Sequence, residues 1–134
     1  MQTSLGTWLR ALAFAGPLTL LLSAPSSLAQ QPASNETAQQ AFNNSCRTCH
    51  SVKEGDNRLG PNLSKIVGRK AGSLPNYNYS QSMKEAGFTW DQDKLTRFML
   101  KPDEVVSGNK MQPYGGVSAE EAAKVVAYLQ AASQ

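Results

Sequence analysis

The sequence predicts a single all-α domain of short helices joined by loops rich in glycine and proline. No segment alternates apolar and polar residues at the period of two that a half-buried strand needs, so strands are not expected. Near the carboxyl end, apolar residues instead recur at helical spacing behind a capping signal. A length of 134 residues fits one small domain.

The first segment predicts an export signal that precedes this domain. Arg10 is followed by a short apolar run, residues 11–22, and then by small residues that end at Ala29. The run is shorter than the about 20 residues that a transmembrane helix needs. We therefore expect residues 1–29 to be a signal peptide cleaved after Ala29, with an uncleaved anchor as the alternative, and residues 30–134 to form the domain.

The net charge of the chain bears on whether a nucleic acid or a membrane surface is to be expected as a partner. The formal net charge is +3, and loss of residues 1–29 removes one basic residue and no acidic one. Twelve basic residues then face ten acidic ones, a charge of +2, which gives no indication of a nucleic-acid or membrane-surface partner. The basic residues are concentrated before position 71, at Arg47, Lys53, Arg58, Lys65, Arg69 and Lys70.

The first helix is predicted to begin near Ser34 or Asn35, residue types that favour a helix amino terminus. Glu36 would then lie in the first turn, where a negative charge favours the helix dipole. One face of this helix would carry small residues around a single aromatic, at Ala38, Ala41, Phe42 and Ser45.

A long segment, residues 55–79, is rich in glycine, proline and asparagine. A loop of this length in a small domain is usually either functional or disordered. Apolar residues recur within it, at Leu59, Leu63, Ile66, Val67 and Leu74. We therefore expect the segment to pack on another surface, which a bound cofactor would provide.

Two further helices are predicted from local signals. Residues 80–85 favour a short helix that ends before Gly87, a residue type common just after helix ends. Thr89 and Gln92 fit a capping box, which would open a helix that ends near Lys101 because Pro102 follows.

The last helix is predicted from a second capping box, residues 118–121. Behind it an apolar stripe at helical spacing continues towards the chain end, at Ala122, Val125, Val126, Leu129 and Ala132. This stripe predicts a helix with one buried face.

Two cysteines followed by a histidine carry the chemistry of the chain. Cys46 and Cys49 are three positions apart, so that on one helical turn both thiols can reach the two vinyl groups of one haem and form thioethers. His50 follows directly and can point its imidazole at the iron. This spacing is typical of covalent haem attachment.

Three other uses of these cysteines fit less well. A zinc site needs four ligands, and the chain has one histidine and two cysteines. A dithiol oxidoreductase would be expected to show a βαβ pattern, which is absent from the sequence. A disulfide that closes so short a loop constrains little of the unfolded chain and gives no reason for the histidine. The sequence therefore predicts one haem c, bound through Cys46 and Cys49.

The second axial ligand of the iron is predicted to be a methionine, because a single histidine excludes bis-histidine ligation within one chain. Met83 and Met99 lie in helical segments with apolar neighbours, which favours a packing role. Met111 lies in a loop of glycine and polar residues, 107–116. Its neighbours in this loop give little reason for its side chain to point inward as a packing residue. We therefore expect His50 and Met111 to bind the iron, since a soft thioether suits haem iron and raises its potential.

Taken together, these motifs resemble those of the class I cytochromes c, the bacterial periplasmic and mitochondrial-type branch, from about residue 38 to residue 129. The resemblance implies the all-α class I fold, in which short helices surround one covalently bound haem and the N- and C-terminal helices cross. It rests on Cys46-x-x-Cys49-His50, Gly60-Pro61-Asn62-Leu63, Gly68-Arg69-Lys70, Tyr79-Ser80, Gly87-Phe88-Thr89-Trp90 and Gly108-Asn109-Lys110-Met111.

The resemblance also implies roles for residues around the cofactor. The carbonyl of Pro61 would accept a hydrogen bond from the second ring nitrogen of His50 and fix the ring. Arg69, Tyr79 and Trp90 would donate hydrogen bonds to a buried haem propionate, which is costly to bury without partners.

Two positions depart from the pattern of the family. Phe98 stands where mitochondrial-type members often have a tyrosine that bonds the ligand sulfur. Asp103 and Glu104 stand where many members have two lysines, so we expect two negative charges beside the Met111 loop.

The function that the resemblance implies is that of a periplasmic one-electron carrier and not an enzyme, acting on no substrate. Its partners would be donor and acceptor redox proteins, including membrane complexes such as a quinol-oxidising complex, an oxidase or a reaction centre. We expect a monomer that binds no nucleic acid. The alternatives are a haem subunit of one specific oxidoreductase, and a peroxidase or gas-sensing haem protein with an opening sixth site.

Overall fold

The computed structural model describes residues 31–134 except position 113, with side chains from residue 37 onward. The predicted signal peptide, residues 1–29, lies outside the described residues. Within them the only strand-like pairing is an isolated bridge, so the all-α prediction is confirmed. None of the helices described has the length and apolar character to cross a membrane. The helices are α1 (Gln31–Ser45), α2 (Gln81–Glu85), α3 (Gln92–Leu100), α4 (Pro102–Val105) and α5 (Ala119–Ala131).

Helix α1 begins at Gln31, three residues before the start predicted at Ser34. Pro32, the second helical residue, does not prevent this, because the N–H that proline lacks has no intrahelical acceptor in the first turn. The first helix is therefore longer than its capping signal indicated.

The first and last helices pack against each other through the faces that the sequence predicts. The rings of Phe42 and Tyr128 lie 5.0 Å apart between centroids at an interplanar angle of 37°. At the edge of this contact the Ser45 hydroxyl donates to Glu121 Oε1 at 3.1 Å. The helices bury apolar residues between them and against the rest of the core, namely Ala38, Ala41, Ala122, Val125, Val126 and Leu129.

Serine side chains cap α2 and α5, and the cap of α5 is the one that the sequence predicts. The Ser80 hydroxyl accepts from the Met83 N–H at 3.1 Å, and the Ser118 hydroxyl accepts from the Glu121 N–H at 3.2 Å. Gly87, just beyond α2, has a φ of +73°, which a glycine adopts at little cost. Both helices thus begin where a local hydrogen bond satisfies an otherwise free N–H.

The predicted start of α3 was wrong. Its N-cap is Asp91, whose carboxylate accepts from the Lys94 N–H at 2.7 Å, and not Thr89. The reason lies elsewhere in the chain, since the Trp90 N–H donates to the Arg69 carbonyl at 2.9 Å and keeps this stretch extended. A capping box at Thr89 cannot form while the following residue pairs in this way.

Helix α3 ends at Leu100, close to the predicted end near Lys101. The short helix α4 then follows, although the sequence analysis did not predict it. Pro102 is its first residue, and the Val106 N–H donates to the Pro102 carbonyl at 2.9 Å. A proline at the first helical position with Asp103 and Glu104 in the first turn is the signal that could have predicted it.

The long segment 55–79 packs on the core through apolar residues that include Leu63, Ile66 and Val67. Leu59 differs from the expectation, because its side chain is 78% exposed. Its backbone is nevertheless anchored, since the Tyr77 hydroxyl donates to the Leu59 carbonyl at 2.9 Å. Packing of this segment is thus centred on Ile66, beyond the turn that contains Leu59.

Candidate functional site

The two cysteines lie on a tight turn that continues from α1. The Cys46 N–H donates to the Phe42 carbonyl at 2.9 Å, and the N–H groups of Cys49 and His50 donate to the Cys46 carbonyl at 3.1 and 2.9 Å. Both thiols are free and half-buried. The turn therefore presents two unpaired sulfur atoms and one imidazole from a short, hydrogen-bonded segment.

The electrostatics at Cys46 do not suit thiolate chemistry. Burial raises the pKa of the Cys46 thiol to about 11, and the negative charges of Glu121 and Cys49 act in the same direction. A dithiol oxidoreductase needs a lowered thiol pKa, because the thiolate is the nucleophile. Within the described part of the chain, no three histidine, cysteine or acidic side chains are placed to hold a metal ion between them. Neither a dithiol enzyme nor a zinc site is supported.

His50 is held in the form that can bind a metal. Its Nδ1 lies 2.8 Å from the Pro61 carbonyl oxygen, which can only accept, so Nδ1 carries the hydrogen. Burial lowers the pKa of His50; the hydrogen bond to Pro61 opposes this, and the positive charge of Arg69 lowers the pKa further. The ring is therefore neutral at pH 7, and its Nε2 presents a lone pair.

Gly60 allows the backbone to lie directly against the His50 ring. A Cβ at this position would come within 2.6 Å of Nδ1 and 2.8 Å of Nε2, and closer still to Cε1. The backbone is fixed there, because the Gly60 N–H donates to the Cys49 carbonyl at 2.7 Å. No separate role was predicted for Gly60 from the sequence. Its position directly before Pro61 is the sequence feature that could have predicted one.

The three methionines of the described region occupy different surroundings. Met83 and Met99 are buried in the hydrophobic core, as expected of packing residues. Met111 is half-buried and lies outside that core. Its N–H donates to the side-chain oxygen of Asn109 at 2.8 Å, so the backbone at Met111 is fixed by a side chain of its own loop.

Two of the predicted propionate donors, Arg69 and Tyr79, are neighbours. The Arg69 guanidinium donates to the Asn62 carbonyl at 2.8 Å and to the Ser64 carbonyl at 3.2 Å. Burial raises the pKa of Tyr79, and the positive charge of Arg69 partly offsets this. Loop carbonyls thus fix the guanidinium beside the Tyr79 phenol.

Trp90 is buried between aromatic rings, yet its indole N–H has no partner. The side chain is 6% exposed and meets Phe88 and Phe98 edge-on, at centroid distances of 4.8 and 5.1 Å. No hydrogen bond to the indole N–H occurs among the residues described. Every fully buried side-chain nitrogen or oxygen there has a partner, so this N–H must border accessible space. A carboxylate placed there would satisfy it.

Tyr114, in the loop that carries Met111, ties that loop to α3, because its hydroxyl donates to the Met99 carbonyl at 2.9 Å. Its pKa is raised to about 12, first by burial and then by the nearby Cys46. On the other side of Met111, the Lys110 ammonium donates to the Asn78 carbonyl at 3.0 Å. The cysteine turn, the Met111 loop and the long segment therefore surround one region of the molecule.

These groups fit a haem. Two thiols lie beside a neutral imidazole with a free lone pair, and the indole N–H of the largely buried Trp90 borders open space. Thioethers to vinyl groups, an axial nitrogen and a hydrogen bond to a carboxylate are the interactions that haem c makes with its protein.

Comparison with known proteins agrees with this chemistry. A family model described as cytochrome c matches residues 36–133. The chain is 42% identical over 84 residues to cytochrome c2 iso-2 of Magnetospirillum fulvum, which covers 63% of this chain and 88% of that protein. It is 42% identical over 88 residues to cytochrome c2 of Agrobacterium tumefaciens, covering 63% and 79%. It is 32% identical over 109 residues to cytochrome c of Guizotia abyssinica, covering 80% and 98%.

The fold, the paired cysteines beside a neutral histidine, and a match that extends over most of the chain lead to one conclusion. The chain belongs to the cytochrome c family, a family of electron carriers, and carries one haem c bound covalently through Cys46 and Cys49.

Proposed function

We propose that this protein is an exported one-electron carrier whose haem iron is bound by His50 and Met111. The observation that carries the proposal is the neutral His50 ring, with Nδ1–H bonded to Pro61 and the Nε2 lone pair available. When bound, the haem supplies an iron that gains and loses a single electron. The chain supplies the ligands, their orientation and the surrounding dry pocket.

His50 is oriented from two sides. The Pro61 carbonyl holds Nδ1 at 2.8 Å, and the Gly60 backbone lies against the ring. A hydrogen bond to the far nitrogen of a ligating histidine fixes its tautomer and makes the bound nitrogen more basic. Both contacts are made within the protein, so they would fix the direction of the His50 ring when it binds the iron.

Met111 would supply the second ligand of the iron, because it is the only one of the three described methionines outside the core. Its thioether is a soft, neutral ligand, which favours the reduced iron and raises the potential. The Asn109 side chain holds the Met111 N–H, and the Lys110–Asn78 contact holds the residue directly before it.

The haem propionates would be bound by Arg69, Tyr79 and Trp90. The indole N–H of Trp90 borders open space without a partner, and the Arg69 guanidinium lies beside the Tyr79 phenol. Donors of this kind offset the cost of burying a carboxylate. Arg69 also retains hydrogen bonds to loop carbonyls, which fix its direction.

The proposed setting is the periplasm, reached through residues 1–29 with cleavage after Ala29. There the protein would pass electrons between donor and acceptor redox proteins as a monomer, without turning over a substrate. Membrane complexes such as a quinol-oxidising complex, an oxidase or a reaction centre are suitable partners. The two named bacterial relatives are cytochromes c2, which supports a bacterial carrier. The intact mass of the periplasmic holoprotein tests the cleavage site.

The ligand assignment is tested by two matched substitutions, Met111→Leu and Met83→Leu. Both replace a thioether by a hydrocarbon of similar volume, which cores tolerate well. We expect Met111→Leu to keep its covalent haem, to lose the sulfur–iron charge-transfer band of the oxidised protein, and to show a lower reduction potential. Met83→Leu should retain the band. Loss of the band in Met83→Leu, with retention in Met111→Leu, would contradict the assignment.

A further inference from the structure

Asn109 connects the Met111 backbone to a carboxylate of α4. Its side-chain oxygen accepts from the Met111 N–H at 2.8 Å, and its side-chain nitrogen donates to Asp103 Oδ1 at 2.8 Å. The same nitrogen donates to the Val106 carbonyl at 3.0 Å. The other oxygen of Asp103 accepts from the Gln112 side chain at 3.3 Å. One carboxylate thus contacts the loop on both sides of Met111.

The orientation of the Asn109 amide is determined by these contacts. The residue is 7% exposed, and its two N–H hydrogens and its oxygen are all used. A flipped amide would place its NH₂ against the Met111 N–H and its oxygen against the Asp103 carboxylate, which would lose three hydrogen bonds. The Asp103 carboxylate and the Val106 carbonyl, which can only accept, therefore together select the orientation that supports Met111.

We propose that Asp103, acting through Asn109, is a positioning residue that holds Met111 against displacement by external ligands. The inference rests on the proposed ligation by Met111. Opening of the loop exposes the sixth position of the iron, and it must break the Asn109–Met111 hydrogen bond or carry Asn109 away from Asp103. Loss of the Asp103 carboxylate removes the charge-assisted hydrogen bond between Asn109 and Asp103, which favours the open loop.

The adjacent acidic residue provides a matched control. The Glu104 carboxylate is bonded to the Lys101 ammonium at 2.7 Å, is exposed, and makes no hydrogen bond to the described residues of the Met111 loop. Asp103→Ala and Glu104→Ala therefore remove the same charge from neighbouring positions of the same helix. Only the first removes a hydrogen bond that leads to Met111.

The experiment is a titration of the oxidised holoproteins with imidazole, followed by the haem absorption spectrum. A partly exposed, charge-assisted hydrogen bond corresponds to a change of about three- to tenfold in an equilibrium. We expect Asp103→Ala and Asn109→Ala to bind imidazole about three to ten times more tightly than the wild type. Glu104→Ala should remain within about twofold. Asp103→Asn, which keeps an acceptor oxygen but no charge, should lie between Asp103→Ala and the wild type.

Two further measurements separate positioning from general loosening of the structure. The double variant Asp103→Ala/Asn109→Ala should bind imidazole about as tightly as Asn109→Ala alone, because Asp103 acts through Asn109 and its longer, exposed hydrogen bond to Gln112 contributes little. Hydrogen exchange at the Met111 amide should accelerate in Asp103→Ala and not in Glu104→Ala. Additive effects in the double variant would overturn the inference.

The outcome also distinguishes this inference from the proposed ligation. If Met111→Leu loses the charge-transfer band but Asp103→Ala binds imidazole like Glu104→Ala, the positioning role is refuted and the ligand assignment stands. If Met111→Leu keeps the band, the ligand assignment fails, and the inference fails with it.

Discussion

Gly60→Ala should displace the His50 ring and lower the free energy of unfolding more than a glycine-to-alanine change at the surface does. A Cβ at this position would overlap the His50 ring, coming within 2.6 Å of Nδ1 and 2.8 Å of Nε2. Non-bonded carbon atoms ordinarily lie about 3.5–4.0 Å apart, so one of the two groups must move by roughly 1 Å. The Gly60 backbone cannot easily move, because its N–H donates to Cys49 and its carbonyl accepts from the Arg58 N–H at 3.0 Å. The ring must therefore shift.

The cost of this shift has two parts. Overpacking of a well-filled site costs about 1–3 kcal/mol. Movement of the His50 ring also breaks its hydrogen bond to Pro61, which contributes about 0.5–1.5 kcal/mol. The free energy of unfolding should thus fall by about 1.5–4.5 kcal/mol, a large fraction of the about 5–15 kcal/mol typical of a small domain.

Guanidinium unfolding of the oxidised holoprotein, followed by circular dichroism, measures this change. Gly115→Ala is the matched control, since no atom lies within 4 Å of the added Cβ and the residue is exposed. It should alter the free energy of unfolding by no more than about 0.5 kcal/mol. A Gly60→Ala protein that unfolds like the Gly115→Ala protein would refute the close packing of Gly60 on His50.

Two further predictions concern cofactor attachment and docking. Cys46→Ala/Cys49→Ala should be largely unfolded or absent from the periplasm, because segment 55–79 then lacks its bound haem to pack on. Circular dichroism of any recovered protein checks this, and a compact, helical, haem-free variant would contradict it. Glu104→Lys should accelerate electron transfer with an acidic partner at low salt, with the gain shrinking as ionic strength rises. Stopped-flow rates across a salt series measure this, and a salt slope equal to that of the wild type would refute it.

Glu104 is replaced alone in the docking experiment because Asp103 and Glu104 have different contacts. The sequence treats Asp103 and Glu104 as a pair of surface charges beside the Met111 loop. In the structure Asp103 bonds Asn109 and Gln112, so its replacement by lysine would alter the loop as well as the surface charge. Among the residues described, the Glu104 carboxylate bonds Lys101 alone, at the surface.

The sequence by itself determined the features that depend on near neighbours. The serine cap of α5 was predicted correctly because its hydrogen bond is made within three residues. Attachment of a haem through Cys46 and Cys49 could be predicted because thioether formation needs only one turn of the chain. The hydrogen bond from His50 to Pro61, implied by the family resemblance, is present at 2.8 Å. Ligation by Met111 remains a prediction.

Only the tertiary structure decided the features that depend on contacts between distant segments. Asp91, and not Thr89, caps α3 because the Trp90 backbone pairs with Arg69, far earlier in the chain. Leu59 is exposed because the segment around it packs through residues further along.

The same distinction separates Asp103 from Glu104, two adjacent carboxylates that no local pattern tells apart. Asp103 meets the side chain of Asn109 because the loop after α4 folds back over that helix, whereas Glu104 faces Lys101 and solvent. The path of a loop is set by its contacts with the surrounding residues. Local sequence propensity does not predict those contacts.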